Sequence, residues 1–318
     1  MNKTVFVNAA RIDFDKKIDF SPISDITVFT KFDTSGEEEL MQRIIDQNIV
    51  ITKELPVGRD FIMRFPPSVK LIAEAGTGYN NIDFAAAQEK GISVCNIPGY
   101  STEAVAQLVI GLMLNLSSSL KQQHLMIERK NFTNFTEDIQ LPHHEVQNKT
   151  LGIIAFGAIG SQVAKIAQCL GMHILAFDPA INPDAYPSVN FVSLEDLLGQ
   201  SDFVTIHAPL TPNTRHLINK DRLKLMRPTA YIINAARGPI IKEADLIECL
   251  RSGGLAGAAL DVQEQEPPSQ DNPLFTIENV IMTPHIGWKT IESRQRLVGL
   301  VAKNIAAFFQ GIPINVVN

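Results

Sequence analysis

The chain has little of several features that would point to particular classes of protein. Only three of its 318 residues are cysteine, and they lie far apart, so neither a disulfide framework nor a cysteine-rich metal site is expected. The longest apolar run, residues 105–116, is too short to cross a bilayer. We therefore expect Cys95, Cys169 and Cys249 to be reduced residues of the core.

Positive charge is also in deficit. Lysine and arginine number 28 against 34 aspartates and glutamates, which gives a formal net charge of −6. An acidic surface attracts neither nucleic acid nor an anionic membrane, so neither is expected as a partner. A local arginine can still bind a small anion. The first residues lack an apolar segment long enough for secretion, and a cytoplasmic location is expected.

What the sequence does have is a regular alternation of β-rich and helical segments. Such alternation favours parallel strands with helices packed on the sheet. From residue 151 onward, six strands in succession are typical of a doubly wound, dinucleotide-binding sheet. The predicted strands are 4–7, 27–29, 49–52, 70–73 and 92–94, followed by 151–156, 173–177, 203–206, 230–233, 255–260 and 280–282.

Between these two series lie a long helix and a polar segment. Residues 102–120 predict a helix that is apolar over a wide face, and residues 291–310 predict a last helix. The polar segment 121–150 is expected to be a loop. Its three histidines, His124, His143 and His144, have no partner at metal-ligand spacing, so no metal site is expected.

The clearest motif follows the apolar strand Leu151–Phe156. A pyrophosphate needs backbone that it can approach closely and a helix N-terminus directed at it. Gly157 permits the approach, and the amides of Ala158 and Ile159 can donate to phosphate oxygens. The first glycine of such turns is replaced here by Ala155, which removes no donor and is expected to affect only the affinity for NAD.

Asp178 supports this interpretation. It ends the next predicted strand, where a carboxylate accepts hydrogen bonds from the adenosine ribose and repels a 2′-phosphate. The following residues, Pro179 and Ala180, offer no arginine for such a phosphate. NAD(H) is therefore the expected cofactor, in preference to NADP(H).

Three residues that each follow a predicted strand form a candidate catalytic set. Reduction of a 2-keto acid by NADH needs a cation for the carboxylate and carbonyl, a proton donor, and a group that keeps the donor protonated. Arg237 can hold a carboxylate through two hydrogen bonds, His285 can donate a proton, and Glu266 lies in an acidic loop. Taken singly, each is also compatible with a purely structural place.

With these residues the chain resembles the D-isomer-specific 2-hydroxyacid dehydrogenase family over essentially its whole length. Four segments carry the resemblance: Gly76–Asp83 (GTGYNNID), Asn234–Gly238, Asp261–Pro267 and Thr283–Gly287. It implies an α/β protein of two domains. A Rossmann-type doubly wound parallel sheet, residues 101–287, would bind NAD, and a flavodoxin-like substrate domain would combine residues 1–100 with 288–318.

The resemblance also implies roles for individual residues. Arg237 would bind and polarise the substrate, His285 would be the acid/base, and Glu266 would hydrogen-bond His285 and favour its protonated form. The substrate carboxylate would lie on consecutive backbone amides, those of Gly76, Thr77 and Gly78.

Cofactor contacts and a homodimer are implied in the same way. Asp261 would hold the nicotinamide carboxamide, and the backbone of Ala235 and Gly287 would lie close to the nicotinamide ring. The other residues expected to contact the cofactor are Val105, His207, Ala208, Pro209 and Thr214, together with Arg237 and His285. The homodimer would form through the apolar helix 102–120.

Within the family, the segments around Val105 and His285 and the residues 315–318 resemble the glycerate dehydrogenase, or hydroxypyruvate reductase, branch. A small pocket suits hydroxypyruvate or glyoxylate. Trp288, the only tryptophan, is expected in the wall of the substrate pocket, in a dimer contact or in the core. D-lactate or broad 2-keto acid reduction is the enzymatic alternative, and an NAD(H)-sensing, corepressor-like binding protein is the non-enzymatic one.

Overall fold

Two parallel β-sheets organise the chain, one in each of the two units of the computed structural model, which describes residues 2–318. Unit 1 comprises the chain up to Ser101 together with Trp288–Asn318, and unit 2 is Thr102–Gly287. The predicted fold class, α/β with two parallel sheets, is confirmed.

Unit 1 contains five strands and five helices. They are β1 (Lys3–Phe6), α1 (Ser21–Ser24), β2 (Val28–Lys31), α2 (Glu37–Arg43), β3 (Ile49–Thr52), α3 (Arg59–Met63), β4 (Leu71–Glu74), α4 (Phe84–Glu89), β5 (Ser93–Cys95) and the last helix, α12 (Ile291–Phe309). The strand order is β2-β1-β3-β4-β5, and all neighbours are parallel. This is the flavodoxin-like order.

Helix α12 belongs to the core of unit 1. Its buried residues Leu297, Val301 and Ile305 join the apolar cluster on one face of the sheet. Arg294, only 3% exposed, binds both carboxylate oxygens of Asp15, at 2.8 and 2.7 Å. Apolar packing and a bidentate ion pair thus fix the helix to the segment that follows β1.

Unit 2 contains seven strands and seven helices. They are α5 (Thr102–Ser117), α6 (Leu120–Glu128), α7 (Thr133–Thr136), β6 (Thr150–Ile154), α8 (Ala158–Cys169), β7 (His173–Phe177), β8 (Asn190–Phe191), α9 (Leu194–Gln200), β9 (Phe203–Ile206), α10 (Lys220–Leu223), β10 (Tyr231–Asn234), α11 (Glu243–Arg251), β11 (Gly257–Leu260) and β12 (Val280–Met282). The strand order is β12-β11-β10-β9-β6-β7-β8, a doubly wound sheet. The two-residue strand β8 was not predicted.

The prediction of a loop over 121–150 is wrong in its first part. Helices α6 and α7 lie there, and none of their residues is buried. The predicted helix 102–120 ends earlier, at Ser117, and Ser119 has a left-handed φ of 49° between α5 and α6. An apolar stripe reveals only helices that bury one face, which α6 does not do.

Most of the wide apolar face of α5 is buried within unit 2. Val109, Met113 and Leu116 belong to a buried cluster of that unit, whereas Leu114 is 38% exposed. Further exposed apolar side chains follow α5 along the chain; they are Leu120, Ile127, Phe132, Phe135 and Ile139.

The cysteines are unpaired, and they do not all lie in the core as expected. Cys95 is buried, but Cys169 is exposed and Cys249 is partly exposed. Helix α8 buries the face that carries Val163, Ala164 and Ala167, and Cys169 lies off that face.

Within residues 2–318 no single helix has the length and apolarity to cross a membrane, although α5 and α6, bent by 60°, meet that test together by length and composition.

Candidate active site

The predicted cofactor and catalytic residues of unit 2 follow the carboxyl ends of its parallel strands. Gly157 follows β6, Asp178 follows β7, His207 follows β9, Arg237 follows β10, Asp261 follows β11 and His285 comes shortly after β12. Ligands bind at this edge of open α/β sheets. Because β10, β11 and β12 are neighbours, the segments that carry Arg237, Glu266 and His285 emerge side by side.

His285 and Glu266 form a hydrogen-bonded pair. His285 Nδ1 lies 2.9 Å from Glu266 Oε2, and the two side chains are 26% and 36% exposed. Glu266 Oε1 accepts a hydrogen bond from Gln263 N at 3.0 Å. Because a carboxylate only accepts, Nδ1 carries a hydrogen, and Nε2 is left to exchange a proton with a ligand.

Asp261 fixes the backbone on both sides of His285. Its carboxylate, 1% exposed, accepts from Thr283 Oγ1 at 2.6 Å, and from the amides of Ile286 and Gly287 at 2.8 Å each. His285 N donates to Asp261 O at 2.8 Å, and His285 has a left-handed φ of 51°. This bracing was not foreseen, since the resemblance implies only a contact of Asp261 with nicotinamide.

Arg237 sits in a turn held by the buried side chain of Asn234. Asn234 Nδ2 donates to Arg237 O, and its Oδ1 accepts from Ala236 N, each at 3.0 Å. A Cβ on the next residue, Gly238, would lie 1.8 Å from Gln263 O, so only glycine fits there. The turn of Arg237 therefore lies in direct contact with the loop of Glu266.

The predicted dinucleotide turn contains a left-handed residue. Ala155 has φ 70°, a conformation that costs an alanine about 1–2 kcal/mol relative to glycine. A Cβ on Gly160 would lie 2.4 Å from Ala155 O, so Gly160 is what allows α8 to approach the strand. The methyl group of Ala155 thus costs backbone strain, and it removes no phosphate donor.

The N-terminus of α8 fits an anion. Gly157 is its N-cap, no side chain caps the helix, and its first turn has no acidic residue. Space is open around Gly157, where a Cβ would meet no atom within 4 Å. Within residues 2–318 the amides of Ala158 and Ile159 have no hydrogen-bond acceptor. Such amides, aligned with the helix dipole, suit a pyrophosphate.

Asp178 both braces this turn and provides negative charge beside it. Its Oδ2 accepts from Phe156 N at 2.8 Å, and its Oδ1 accepts from Ala180 N at 2.9 Å. Each oxygen has a further lone pair for a ribose hydroxyl. The predicted interaction with adenosine therefore remains compatible with this second, structural role.

The loop after β9 contains a buried, unsatisfied nitrogen. His207 Nε2 lies 3.1 Å from Thr205 Oγ1, but its Nδ1 is buried with no partner in the described chain. Burial lowers the pKa of His207 to about 3, so the imidazole is neutral near pH 7. Thr214 closes the loop by donating to Pro209 O at 2.6 Å. A bound polar group would satisfy the Nδ1 atom.

The remaining predicted cofactor contacts are mostly buried apolar positions. Val105 and Ala208 are 6% and 5% exposed, and Ala235 is half-buried. A Cβ on Gly287 would lie 3.0 Å from Asp261 Oδ2 and 3.4 Å from Val105 Cγ2, so a larger residue there would crowd the carboxylate.

In unit 1, the predicted carboxylate-binding amides follow β4. Gly76 N donates to Glu74 O, whereas the amides of Thr77 and Gly78 have no acceptor among residues 2–318. Thr77 is held by its hydroxyl, which donates to Ile97 O at 2.9 Å. The two unsatisfied amides leave donors for a carboxylate.

Buried charges support this loop. Glu74, which is 0% exposed, accepts from Thr52 Oγ1 and Glu54 N at 2.8 Å and from Asn81 Nδ2 at 3.1 Å. Burial raises the pKa of Glu74. Lys53 Nζ, paired with Glu54 Oε1 at 2.8 Å, lies 3.0 Å from the place of a Cβ on Gly76. Neither charge was predicted from the sequence, although Glu74 ends an apolar strand and Lys53 follows one.

Trp288 lies in the core of unit 1. It is 6% exposed, belongs to the apolar cluster that includes Leu297, and packs under Lys53, whose Nζ lies 4.1 Å from the ring. Of the three expectations for Trp288, core packing agrees with this placement.

Comparison with known proteins places these features in a family context. Residues 110–287 match the family model described as "D-isomer specific 2-hydroxyacid dehydrogenase, NAD binding domain". A hydroxypyruvate reductase of Blautia hydrogenotrophica is 38% identical over 93% of this chain and 92% of its own length. A glycerate dehydrogenase of Methylorubrum extorquens is 38% identical over 88% of both chains. D-lactate dehydrogenase of Aquifex aeolicus, solved with NAD and lactic acid, is 28% identical, with a TM-score of 0.83 over 97% of this chain and 96% of its own.

Proposed function

The chain belongs to the D-isomer-specific 2-hydroxyacid dehydrogenase family, and we propose that it interconverts a small 2-keto acid and the D-2-hydroxy acid with NADH. The NAD-binding domain of this family matches residues 110–287, and its members are oxidoreductases. Hydroxypyruvate and glyoxylate are the proposed keto acids, giving D-glycerate and glycolate. The observation that carries the proposal is the His285–Glu266 pair, 2.9 Å apart beyond neighbouring parallel strands. The hydroxypyruvate reductase and glycerate dehydrogenase relatives support the substrate class.

In this proposal His285 and Glu266 handle the proton. NADH, held by the amides of Ala158 and Ile159, would supply the hydride for the keto carbon. His285 Nε2 donates a proton to the oxygen that becomes the hydroxyl, while Glu266 stabilises the protonated ring through Nδ1. In the reverse direction neutral His285 takes the same proton back.

Arg237 and the amides of Thr77 and Gly78 are the proposed substrate-binding groups. A guanidinium matches a carboxylate geometrically and also draws electron density from the neighbouring carbonyl. The two amides have no acceptor in the described chain and supply neutral donors. Unit 1 is accordingly proposed as the substrate domain.

The proposed cofactor preference is NADH over NADPH. The negative charge of Asp178 beside the dinucleotide turn supports it, because a carboxylate repels a 2′-phosphate. The amides of Ala158 and Ile159 would hold the pyrophosphate, and His207 would lie beside the adenosine.

A kcat/KM panel tests the proposed function. Hydroxypyruvate, glyoxylate, pyruvate and bulkier 2-keto acids are each assayed with NADH and with NADPH. We expect hydroxypyruvate or glyoxylate with NADH to be fastest. A preference for pyruvate would favour D-lactate formation, the activity named for the similar Aquifex aeolicus structure. NADH binding without turnover of any keto acid would contradict the proposal.

We also propose a cytoplasmic homodimer. The unpaired cysteines support a reducing compartment. Leu114 on α5 and the exposed apolar side chains along α6 and α7, such as Phe132 and Phe135, support a partner surface that includes α5. Light scattering on the wild type and on Phe135→Asp tests this, and a wild-type monomer would contradict it.

A further inference from the structure

A second histidine–carboxylate pair lies in unit 2, next to the loop of the first. His216 Nε2 is 2.6 Å from Glu264 Oε1, and the two side chains are 35% and 30% exposed. Because the carboxylate only accepts, Nε2 must be the donor. Glu264 stands two residues before Glu266, so the contact anchors the loop that carries the partner of His285.

The other side of Glu264 joins the same loop to the start of α11. Glu264 Oε2 accepts from Glu243 N at 3.0 Å, and Glu243 Oε2 accepts from Glu264 N at 3.3 Å. Two like-charged carboxylates therefore meet. Within residues 2–318, His216 is the only basic side chain paired with either of them.

His216 is itself tied to the segment that follows Arg237. His216 N donates to Pro239 O at 2.8 Å, and Ile218 N donates to Ile240 O at 3.0 Å. Its left-handed φ of 52° directs the chain back along this segment. The side chain of His216 thus bonds one catalytic loop while its backbone bonds the other.

The two loops also touch directly on this side, because Gly238 packs against the peptide that joins Gln263 and Glu264. A small cavity lies beside this contact, lined by Asn234, Gly238, Glu243 and Glu264 among others. The hydrogen bond from His216 is one of the contacts that fix the orientation of the Glu264 peptide. A shift of that peptide would carry Gln263 N away from Glu266 Oε1, and this is the hydrogen bond that orients Glu266 toward His285.

We propose that His216 is a positioning residue for the reaction: through Glu264 it holds the loop 262–266 against the turn of Arg237, so that Glu266 stays bonded to His285. The proposal rests on the proposed function only for its consequence for turnover. The placement of Glu266 on His285 can be measured without turnover.

The test compares His216→Leu with His216→Gln, whose amide can still donate to Glu264. Glu266→Gln is the reference, and His124→Leu is the control, because His124 forms an exposed pair with Glu128 that touches no catalytic loop. The NMR signal of the hydrogen on His285 Nδ1, whose chemical shift reports its hydrogen bond to Glu266, is followed in each variant, and kcat, KM and the NADH Kd are measured.

We expect His216→Leu to move this signal upfield, in the direction of Glu266→Gln, because the hydrogen bond from Nδ1 to Glu266 weakens. We also expect a loss of about 10–100-fold in kcat, the usual effect of a misplaced catalytic group, with an NADH Kd within twofold of wild type. His216→Gln should restore most of both, and His124→Leu should change neither.

An unmoved Nδ1–H signal of His285 in folded His216→Leu would overturn the proposal. If that variant does not fold, Glu264→Gln replaces it, with the same shift expected and the same null result overturning it. Wild-type turnover on the keto-acid panel separates this outcome from failure of the proposed function, since the NMR shift requires no substrate.

Discussion

Both sheets carry charged groups at or beyond the carboxyl ends of their strands, but these groups are buried in unit 1 and partly exposed in unit 2. In unit 1, Glu74 and Lys53 are 0% and 3% exposed, and each is bonded to neighbours of the same unit. In unit 2, His285 and Glu266 keep 26% and 36% of their side chains exposed. His285 Nε2 has no partner within the described chain, whereas all three donors to Glu74 belong to its own unit.

Burial and hydrogen bonding distinguish charged groups that support the backbone from those that can react. A buried carboxylate with several internal donors stabilises backbone, because losing it leaves those donors unsatisfied. A half-exposed group with one atom left over can exchange protons with a ligand. Substitutions in the first class should therefore lower stability, and substitutions in the second should lower rate.

The largest expected effect is on rate, at His285. His285→Ala should lower kcat by about 10²–10⁴-fold, the usual contribution of a positioned acid, with NADH binding and Tm little changed. Steady-state kinetics and fluorescence titration with NADH measure this, with exposed His124→Ala as control. A kcat within twofold of wild type would remove His285 from the reaction.

In unit 1 the expected effect is on stability. Glu74→Ala should lower the free energy of unfolding by about 1–3 kcal/mol for each hydrogen bond lost, because it leaves three donors without their acceptor. Urea denaturation measures the loss, and the isosteric Glu74→Gln should lose less. A variant that kept full stability but lost kcat would mean that Glu74 is a reacting group, which would contradict its supporting role.

Arg237→Lys should affect substrate binding. An ammonium cannot reproduce two parallel hydrogen bonds, and losing one charge-assisted bond costs about 1.5–3 kcal/mol, or about 10–100-fold in KM for the keto acid. Initial rates over a range of keto-acid concentrations measure it. An unchanged KM would mean that Arg237 does not clamp the carboxylate.

Asp178→Asn should change the choice of cofactor. Removing the carboxylate charge should lower the ratio of kcat/KM for NADH over NADPH on the order of tenfold, since the repulsion of a 2′-phosphate is lost. Parallel assays with both cofactors give the ratio. A ratio equal to that of wild type would show that Asp178 acts only by bracing Phe156.

The effect of acid on stability tests whether burial, rather than the unit in which a residue lies, decides how a titratable side chain affects the protein. His207 lies in unit 2, yet burial lowers its pKa from 6.5 to about 3. The unfolded chain therefore takes up the proton first, and stability should fall as pH drops from 6.5 toward 3. Urea midpoints at pH 7 and pH 5 should differ less for His207→Gln than for wild type. Equal differences would contradict the burial argument.

Much of the fold could be predicted because both sheets are covered by helices. Strands buried on both faces are short apolar runs, and the bounds of β3, β7, β9 and β12 agree with the prediction. Helices α6 and α7 were missed because they bury nothing, and β8 because two residues carry no periodic pattern.

The three proposed catalytic residues could be predicted because their chemistry and their positions after strands are visible in the sequence. Arg237, Glu266 and His285 have side chains that suit the reaction, and each follows a strand. The supporting groups could not be identified in this way. Glu74 and His216 act through residues 20 to 48 positions away, and such contacts exist only once the chain is folded.

The path of the chain through unit 1 also governs the order of its synthesis. The apolar cluster of this unit needs Trp288 and the buried face of α12, which leave the ribosome after all of unit 2. Domains commonly fold from the N-terminus during translation. Here the continuous unit 2 can complete its core first, and the segment made earliest must wait with its sheet half covered.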